Sequence, residues 1–238
     1  MSLKMYMGLG QAQVWIAGFA DLVRREMRLD LDLFVVPDFL SLQFARDTLA
    51  ATPIWLGAQD LFWEDAGPFT GEISAPMLVE AGCNLVEIGH SERRQIFGET
   101  DEIVARKVEA AVRSKLTPIL CVGEVERSSP QSASRFCLRQ LESATSGIGV
   151  EAPLIVAYEP VWAVGASEPA SAKHIVEVAN GLNCWISQRS ETRLIYGGSA
   201  KPGLFSQLNG AVDGLFLGRF AHDLQALCTV LREADLRV

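Results

Sequence analysis

Glu159 closes the apolar run Leu154–Tyr158 and is followed by Pro160-Val161-Trp162-Ala163-Val164-Gly165. A carboxylate at a strand's C-terminal end, joined to a stiff apolar segment and a glycine hinge, has the layout of a general base beside a lid. Such a base gains most when the lid excludes water. In isolation, a Glu at a strand end is more often half of an ion pair. The apolar loop shifts the balance, because it needs something to close over. His90 follows a second apolar run, Asn84–Ile88, where Ser91 opens a polar turn into a helix. The helix dipole there disfavours a second proton on the ring. A neutral imidazole can donate one hydrogen bond to a carbonyl oxygen; the alternative is a His that merely caps the helix. Tyr196-Gly197-Gly198-Ser199 and Leu217-Gly218-Arg219 are glycine turns after late strands. Their backbone N–H groups can approach an anion, although ordinary tight turns read the same way. Lys4 near a first strand's end could meet substrate charge, or could simply be solvated. Cys121 also follows a strand, but with no partner base it reads as buried filler.

These residues need a frame that brings them together. Short apolar runs recur at Leu33–Val36, Ile54–Ala58, Asn84–Ile88, Pro118–Val122, Leu154–Tyr158, Arg193–Tyr196 and Gly214–Leu217. Each reads as a strand buried on both faces of a parallel sheet. Amphipathic helical patterns lie between them. One starts after Thr100, an N-cap candidate, with Asp101 and Glu102 in the first turn and Val104, Val108, Ala111 and Val112 on one face. Another spans Gln11–Glu26, with Trp15, Phe19, Leu22 and Val23 inward. Strand–helix alternation predicts a parallel sheet with crossover helices. An eighth strand from the N-terminus would close a (β/α)8 barrel, whose usual length of about 250 residues fits. The active sites of such barrels sit at the C-terminal ends of the strands, where these residues fall. An open doubly wound sheet has less support, since no GxGxxG follows the first strand. With no linker or composition shift, residues 1–238 read as a single domain. Ser128–Ser134 is the most loop-like stretch.

The 238 residues carry a net charge of −8, which argues against nucleic acid and anionic membranes as partners. It leaves room for a small anion held by backbone N–H groups. Apolar content is 49% without a membrane-length run, and no secretory pattern opens the chain. The five scattered cysteines form no CxxC pair or Cys/His cluster, so the expectation is reduced thiols in a cytoplasm and no metal.

Several stretches together match a known family. Gly57-Ala58-Gln59, Phe69-Thr70-Gly71-Glu72-Ile73-Ser74, Gly89-His90-Ser91-Glu92-Arg93-Arg94, Cys121-Val122-Gly123-Glu124, Ala157 through Gly165 and Tyr196-Gly197-Gly198-Ser199 occur in order. Over nearly its full length the chain resembles triosephosphate isomerases. A Glu base beside a neutral His is that family's known arrangement. The resemblance implies that Glu159 moves a proton between adjacent carbons and His90 polarises the carbonyl. It implies that Lys4 supplies positive charge and Glu92 supports the site. The loop at 160–166 would close over a phosphate held by backbone N–H groups of Gly165, Gly198, Ser199 and Gly218. No metal or organic cofactor is implied, since electrostatics stabilise the enediolate. The segment Asp65–Ser74 resembles a loop that reaches into a neighbouring subunit, which implies a homodimer with Thr70 near the partner's site.

Departures from the family pattern carry further expectations. Ser2-Leu3 stand where Asn-Trp usually precede the lysine, Asp60 replaces an Asn, Ala166 a Thr and Arg219 a Gly. Ser2 and the Gly218-Arg219 pair resemble a branch that isomerises four-carbon ketose phosphates in sugar-alcohol breakdown. The main expectation is isomerisation of glyceraldehyde 3-phosphate and dihydroxyacetone phosphate. The alternative within the class is a four-carbon ketose phosphate. So little sequence precedes Lys4, where a strand usually takes about five residues, that an inactive barrel with a distorted N-terminus and a misplaced Lys4 is a third expectation.

Overall fold

Seven short strands pair in parallel, each with the next in sequence. They are β1 (Leu33–Val35), β2 (Ile54–Ala58), β3 (Leu85–Ile88), β4 (Thr117–Val122), β5 (Leu154–Tyr158), β6 (Thr192–Tyr196) and β7 (Gly214–Leu215). The computed structural model describes residues 1–25, 31–164, 170–208 and 210–235. Helices α1 (Leu9–Arg25), α2 (Leu42–Leu49), α3 (Ala75–Glu80), α4 (Ser91–Phe97), α5 (Asp101–Arg113), α6 (Pro130–Ala144), α7 (Ala172–Ile186), α8 (Leu204–Leu208) and α9 (Leu224–Asp235) intervene.

The N-terminus corrects one expectation. Met1–Leu3 is neither distorted nor displaced; it forms the short first strand of the barrel. Leu3 N–H donates to Val36 O at 3.0 Å, and Val36 N–H donates to Met1 O at 2.8 Å. On the other side, Ser2 N–H donates to Leu217 O at 3.2 Å. Three residues suffice because both neighbours are themselves short, so few ladder bonds are needed to close the ring and remove both free edges. Met1, Ser2 and Leu3 are all buried. The architecture is a (β/α)8 barrel with a short first strand.

Strand side chains alternate between two cores. Val36, Leu85, Ile119, Cys121, Ala157, Ile195 and Phe216 fill the barrel interior. The other set packs against the helices, with Ile16, Phe19, Val104, Val108, Leu141 and Ile175 fully buried. Thr100 caps α5 as expected, its hydroxyl accepting from Ile103 N–H at 3.3 Å. The buried face of α5 differs slightly from the apolar pattern, since Val112 is half-buried and Lys107 is fully buried. Lys107 Nζ donates to Asp60 at 2.6 and 2.8 Å and to Glu99 at 2.6 Å. Arg93 completes the network, 3.0 Å from Asp60 and 2.7 Å from Glu99. An Asp at position 60 is thus offset by two cations. Ser128–Ser134 is loop for only its first two residues: Ser129 caps α6 and Pro130 opens it, because Pro is pre-set for a first helical position.

Candidate active site

The first strand, β3, β5, β6 and β7, with the segments that follow them, contribute to one cavity of about 520 Å³ at the C-terminal end of the barrel. Lys4, His90, Glu92, Glu159, Gly198, Ser199 and Gly218 all line it. Gly165 and Ala166 lie outside the described residues.

Lys4 follows the first strand with φ at 48°, the left-handed region that non-glycine residues seldom occupy. The Gln59 side chain holds this turn by donating to Lys4 O at 3.1 Å. Lys4 Nζ then reaches Glu92 Oε1 at 2.7 Å. Burial by itself would lower the ammonium, but the hydrogen bond and charge of Glu92, with Glu159 and Glu87 beyond, hold it above its ordinary value. Glu92 is held below the usual carboxylate range, its partial burial outweighed by Lys4 and His90.

His90 is both cap and site residue. Its Nδ1 accepts from Glu92 N–H at the start of α4, at 3.1 Å. An accepting Nδ1 carries no proton, so the neutral ring bears its hydrogen on Nε2. Nε2 lies 3.3 Å from Glu159 Oε2. Burial, then the charge of Lys4, lower His90 from 6.5 to about 4. The Nε2–H is therefore a neutral donor at physiological pH.

Glu159 is 4% exposed. Burial first, then the charge of Glu87, push its carboxyl well above the ordinary value, with Lys4 opposing. Gly197 sits against this side chain; a methyl there would fall 2.6 Å from Glu159 Cγ and Oε1. Beyond Glu159, the Val161–Ala163 turn is tied down by Glu124. Its Oε1 accepts from Trp162 Nε1–H at 2.7 Å, and its carboxylate also accepts from Tyr158 O–H at 3.2 Å. His174 Nε2 is 3.2 Å from the same oxygen. Sequence shows Glu124 only within the Cys121-Val122-Gly123-Glu124 stretch; its partners come from β5, the Val161–Ala163 turn and α7, and only folding joins them.

On the far wall, the Gly197–Ser199 and Gly218 turns face the cavity beside Lys201, Arg219 and Tyr6. Arg219 lies over the Tyr6 ring, 5.5 Å from its centroid. Lys201, Tyr6 and Glu87 were not singled out from sequence. Lys201 and Tyr6 carry no local signal, whereas Glu87 does: it is a carboxyl inside an otherwise apolar strand run.

A parallel barrel with a carboxylate, a neutral imidazole and an ammonium converging over its strand ends defines the class of enzymes that shift protons within a small substrate. The comparisons agree. The sequence model of the Triosephosphate isomerase family matches residues 1–234. L-erythrulose-1-phosphate isomerase of Pectobacterium atrosepticum is 47% identical, over 98% of this chain and 94% of that protein. Triosephosphate isomerase of Geobacter metallireducens is 39% identical, over 90% of this chain and 89% of that protein. The crystal structure of triosephosphate isomerase from Bartonella henselae superposes with a TM-score of 0.81 at 32% identity, covering 98% of this chain and 97% of that one. The chain belongs to the triosephosphate isomerase family and is an isomerase, which overturns the expectation of a non-catalytic barrel.

Proposed function

We propose that this isomerase acts on a four-carbon ketose phosphate in preference to a triose phosphate. The observation that carries this reading is the 47% identity to a relative named L-erythrulose-1-phosphate isomerase, against 39% for the relative named triosephosphate isomerase. Ser2 and Arg219 at the cavity wall support it, since they are the departures that resemble that branch. The expectation of a triose phosphate substrate is revised accordingly.

The chemistry follows from the site. In a 1-phosphorylated 2-ketose, the carbon acid on the side of the ketone away from the phosphate is C3. Glu159 removes the C3 proton, the carbonyl oxygen takes up negative charge, and the enediolate spans C2 and C3. Return of the proton to C2, with His90 Nε2 delivering a proton to O2 and taking the one from the O3 hydroxyl, leaves a ketone at C3, so the four-carbon product is a second ketose. Glu159 is a stronger base for being buried, because desolvation disfavours its charged form. His90 Nε2–H polarises the carbonyl without carrying a charge that would have to be shed. Lys4, oriented by Glu92, stabilises the developing oxyanion. Backbone N–H groups of Gly198, Ser199 and Gly218 hold the phosphate, and the lid that begins at Pro160 closes over it. Electrostatics and proton transfer suffice, so no metal or organic cofactor takes part.

Residues 1–238 act as one domain, in a homodimer. Support for the dimer comes from the excursion between Phe62 and Ser74. Its neck is closed by Phe62 N–H donating to Ile73 O at 2.8 Å, and its base by Arg113–Asp65 and Arg106–Glu64 ion pairs. Yet residues 64–72 are all exposed, Phe69 included. A braced loop whose residues 64–72 all stay exposed suits insertion into a neighbour, which would bring Thr70 to the partner's site. Among the described residues no helix is long and apolar enough to cross a membrane, and a cytoplasmic location is part of the proposal.

The test is kcat/KM on L-erythrulose 1-phosphate and on dihydroxyacetone phosphate with the same preparation. A higher value for the four-carbon compound is expected; the reverse order would return the chain to the triose assignment.

A further inference from the structure

β3 is apolar at Leu85, Val86 and Ile88, and all four of its residues are buried, yet the third is Glu87. Leu85 belongs to the barrel interior. With a strand period of two, Glu87 projects into the same interior, one layer nearer the strand ends. It lines the cavity with Ser2, Lys4, His90 and Glu159 and is 4% exposed. Branched apolar residues normally fill such layers. A carboxyl there is costly to bury, and none of the proton-transfer steps gives or takes a proton at it.

The position of Glu87 relative to the substrate follows from strand order. Counting Met1–Leu3 as the first of eight strands, β3 lies four strands from β7, on the opposite side of the barrel. The phosphate turns stand at the ends of β6 and β7. The end of the substrate remote from phosphate therefore meets the wall made by Glu87, His90 and Glu92. A four-carbon ketose 1-phosphate carries one more hydroxymethyl group at that end than a triose phosphate. Ser2, a short side chain, leaves room beside Glu87.

We propose that Glu87 is a specificity-determining residue that hydrogen-bonds the terminal hydroxyl of a four-carbon ketose phosphate. This rests on the four-carbon reading above. Burial pushes the Glu87 carboxyl up to about 7, with Ser2 and Lys4 opposing, so both donor and acceptor forms are populated near neutral pH. A buried polar group matched to a substrate hydroxyl discriminates strongly against an analogue that lacks it, because the group is then left unpaired.

The experiment compares kcat/KM of the wild type and Glu87→Val on L-erythrulose 1-phosphate, its 4-deoxy analogue and dihydroxyacetone phosphate. In the wild type the 4-deoxy compound should lose at least about tenfold against its parent. In Glu87→Val that gap should close, and the four- to three-carbon ratio should fall by at least about tenfold. Parallel losses on all three compounds are what a purely structural or base-tuning role gives, and they would overturn the proposal. Should the variant not fold, the wild-type comparison with the 4-deoxy compound still decides: no loss there sinks the assignment. A wild type that prefers the four-carbon compound while its ratio ignores Glu87 refutes this proposal alone. A wild type that prefers the triose phosphate refutes the reading beneath it.

Discussion

Gly197→Ala is the sharpest probe of whether the placement of Glu159 matters. A methyl at Gly197 would lie 2.6 Å from Glu159 Cγ and Oε1 and 3.0 Å from Cδ. Comfortable contact is about 3.5–4.0 Å, so the carboxyl must retreat by roughly 1 Å. The atoms in the way belong to a side chain, so the backbone can stay. Retreat changes the 3.3 Å approach of Glu159 to His90 and moves the base from its proton. A misplacement of about 1 Å can cost about 10²-fold in rate, or roughly 2.7 kcal/mol of barrier. The expected result is a kcat lower by about two orders of magnitude, a much smaller change in KM, and a nearly unchanged Tm. Gly123→Ala is the contrast: its methyl would lie 1.8 Å from Glu159 O and 2.6 Å from Glu159 C, both backbone atoms. That variant should lose stability as well as rate. The measurements are steady-state kinetics and thermal unfolding of both variants. A folded Gly197→Ala enzyme with kcat within about threefold of wild type would refute the reasoning, since the rate would then tolerate the displacement.

Lys4→Met should lower kcat by about 10²–10³-fold while Tm barely moves. Its pair with Glu92 is partly exposed, at 22% and 47% of the side chains, and such pairs contribute little stability; a rate within about tenfold of wild type would contradict the charge-stabilising role. His90 should stay neutral down to about pH 5, because its value in the folded chain is about 4 against an ordinary 6.5. The unfolded chain binds the proton first, so His90's contribution to stability is fully present above 6.5, is lost as pH falls towards about 4, and is constant below. ¹⁵N chemical shifts of the ring, and unfolding free energies of wild type and His90→Asn across that window, would check it; a ring titrating near its ordinary value would sink it. Lys107→Met should destabilise the fold by about 3–5 kcal/mol, since it strands Asp60 and Glu99; denaturant unfolding with a loss under about 1 kcal/mol would show that Arg93 alone compensates them.

Much of this protein was written in short-range sequence. The strand runs were legible because strands buried on both faces are continuously apolar, and that pattern does not depend on the neighbours. The cavity-lining residues His90, Glu159, Gly198, Ser199 and Gly218 were legible because a barrel places its active site at strand ends, and each stands just after such a run. Tertiary structure decided the rest. Three residues before Lys4 looked too few for a strand, since pattern reading judges a segment by its own length. Pairing depends on both neighbours, and Val36 and Leu217 supply the partners. The proton on His90 was also undecided in sequence; the amide of Glu92, fixed by the start of α4, places it on Nε2. Glu87 is hidden in the pattern of β3, because one acid barely weakens an apolar run. Only the closed ring turns it inward and sets it across the cavity from the Gly198 and Gly218 turns. Sequence therefore determined what chemistry each group can offer, since side-chain chemistry is local. The fold decided their charge, tautomer and facing partner, because burial and cross-barrel distance exist only once the strands have closed.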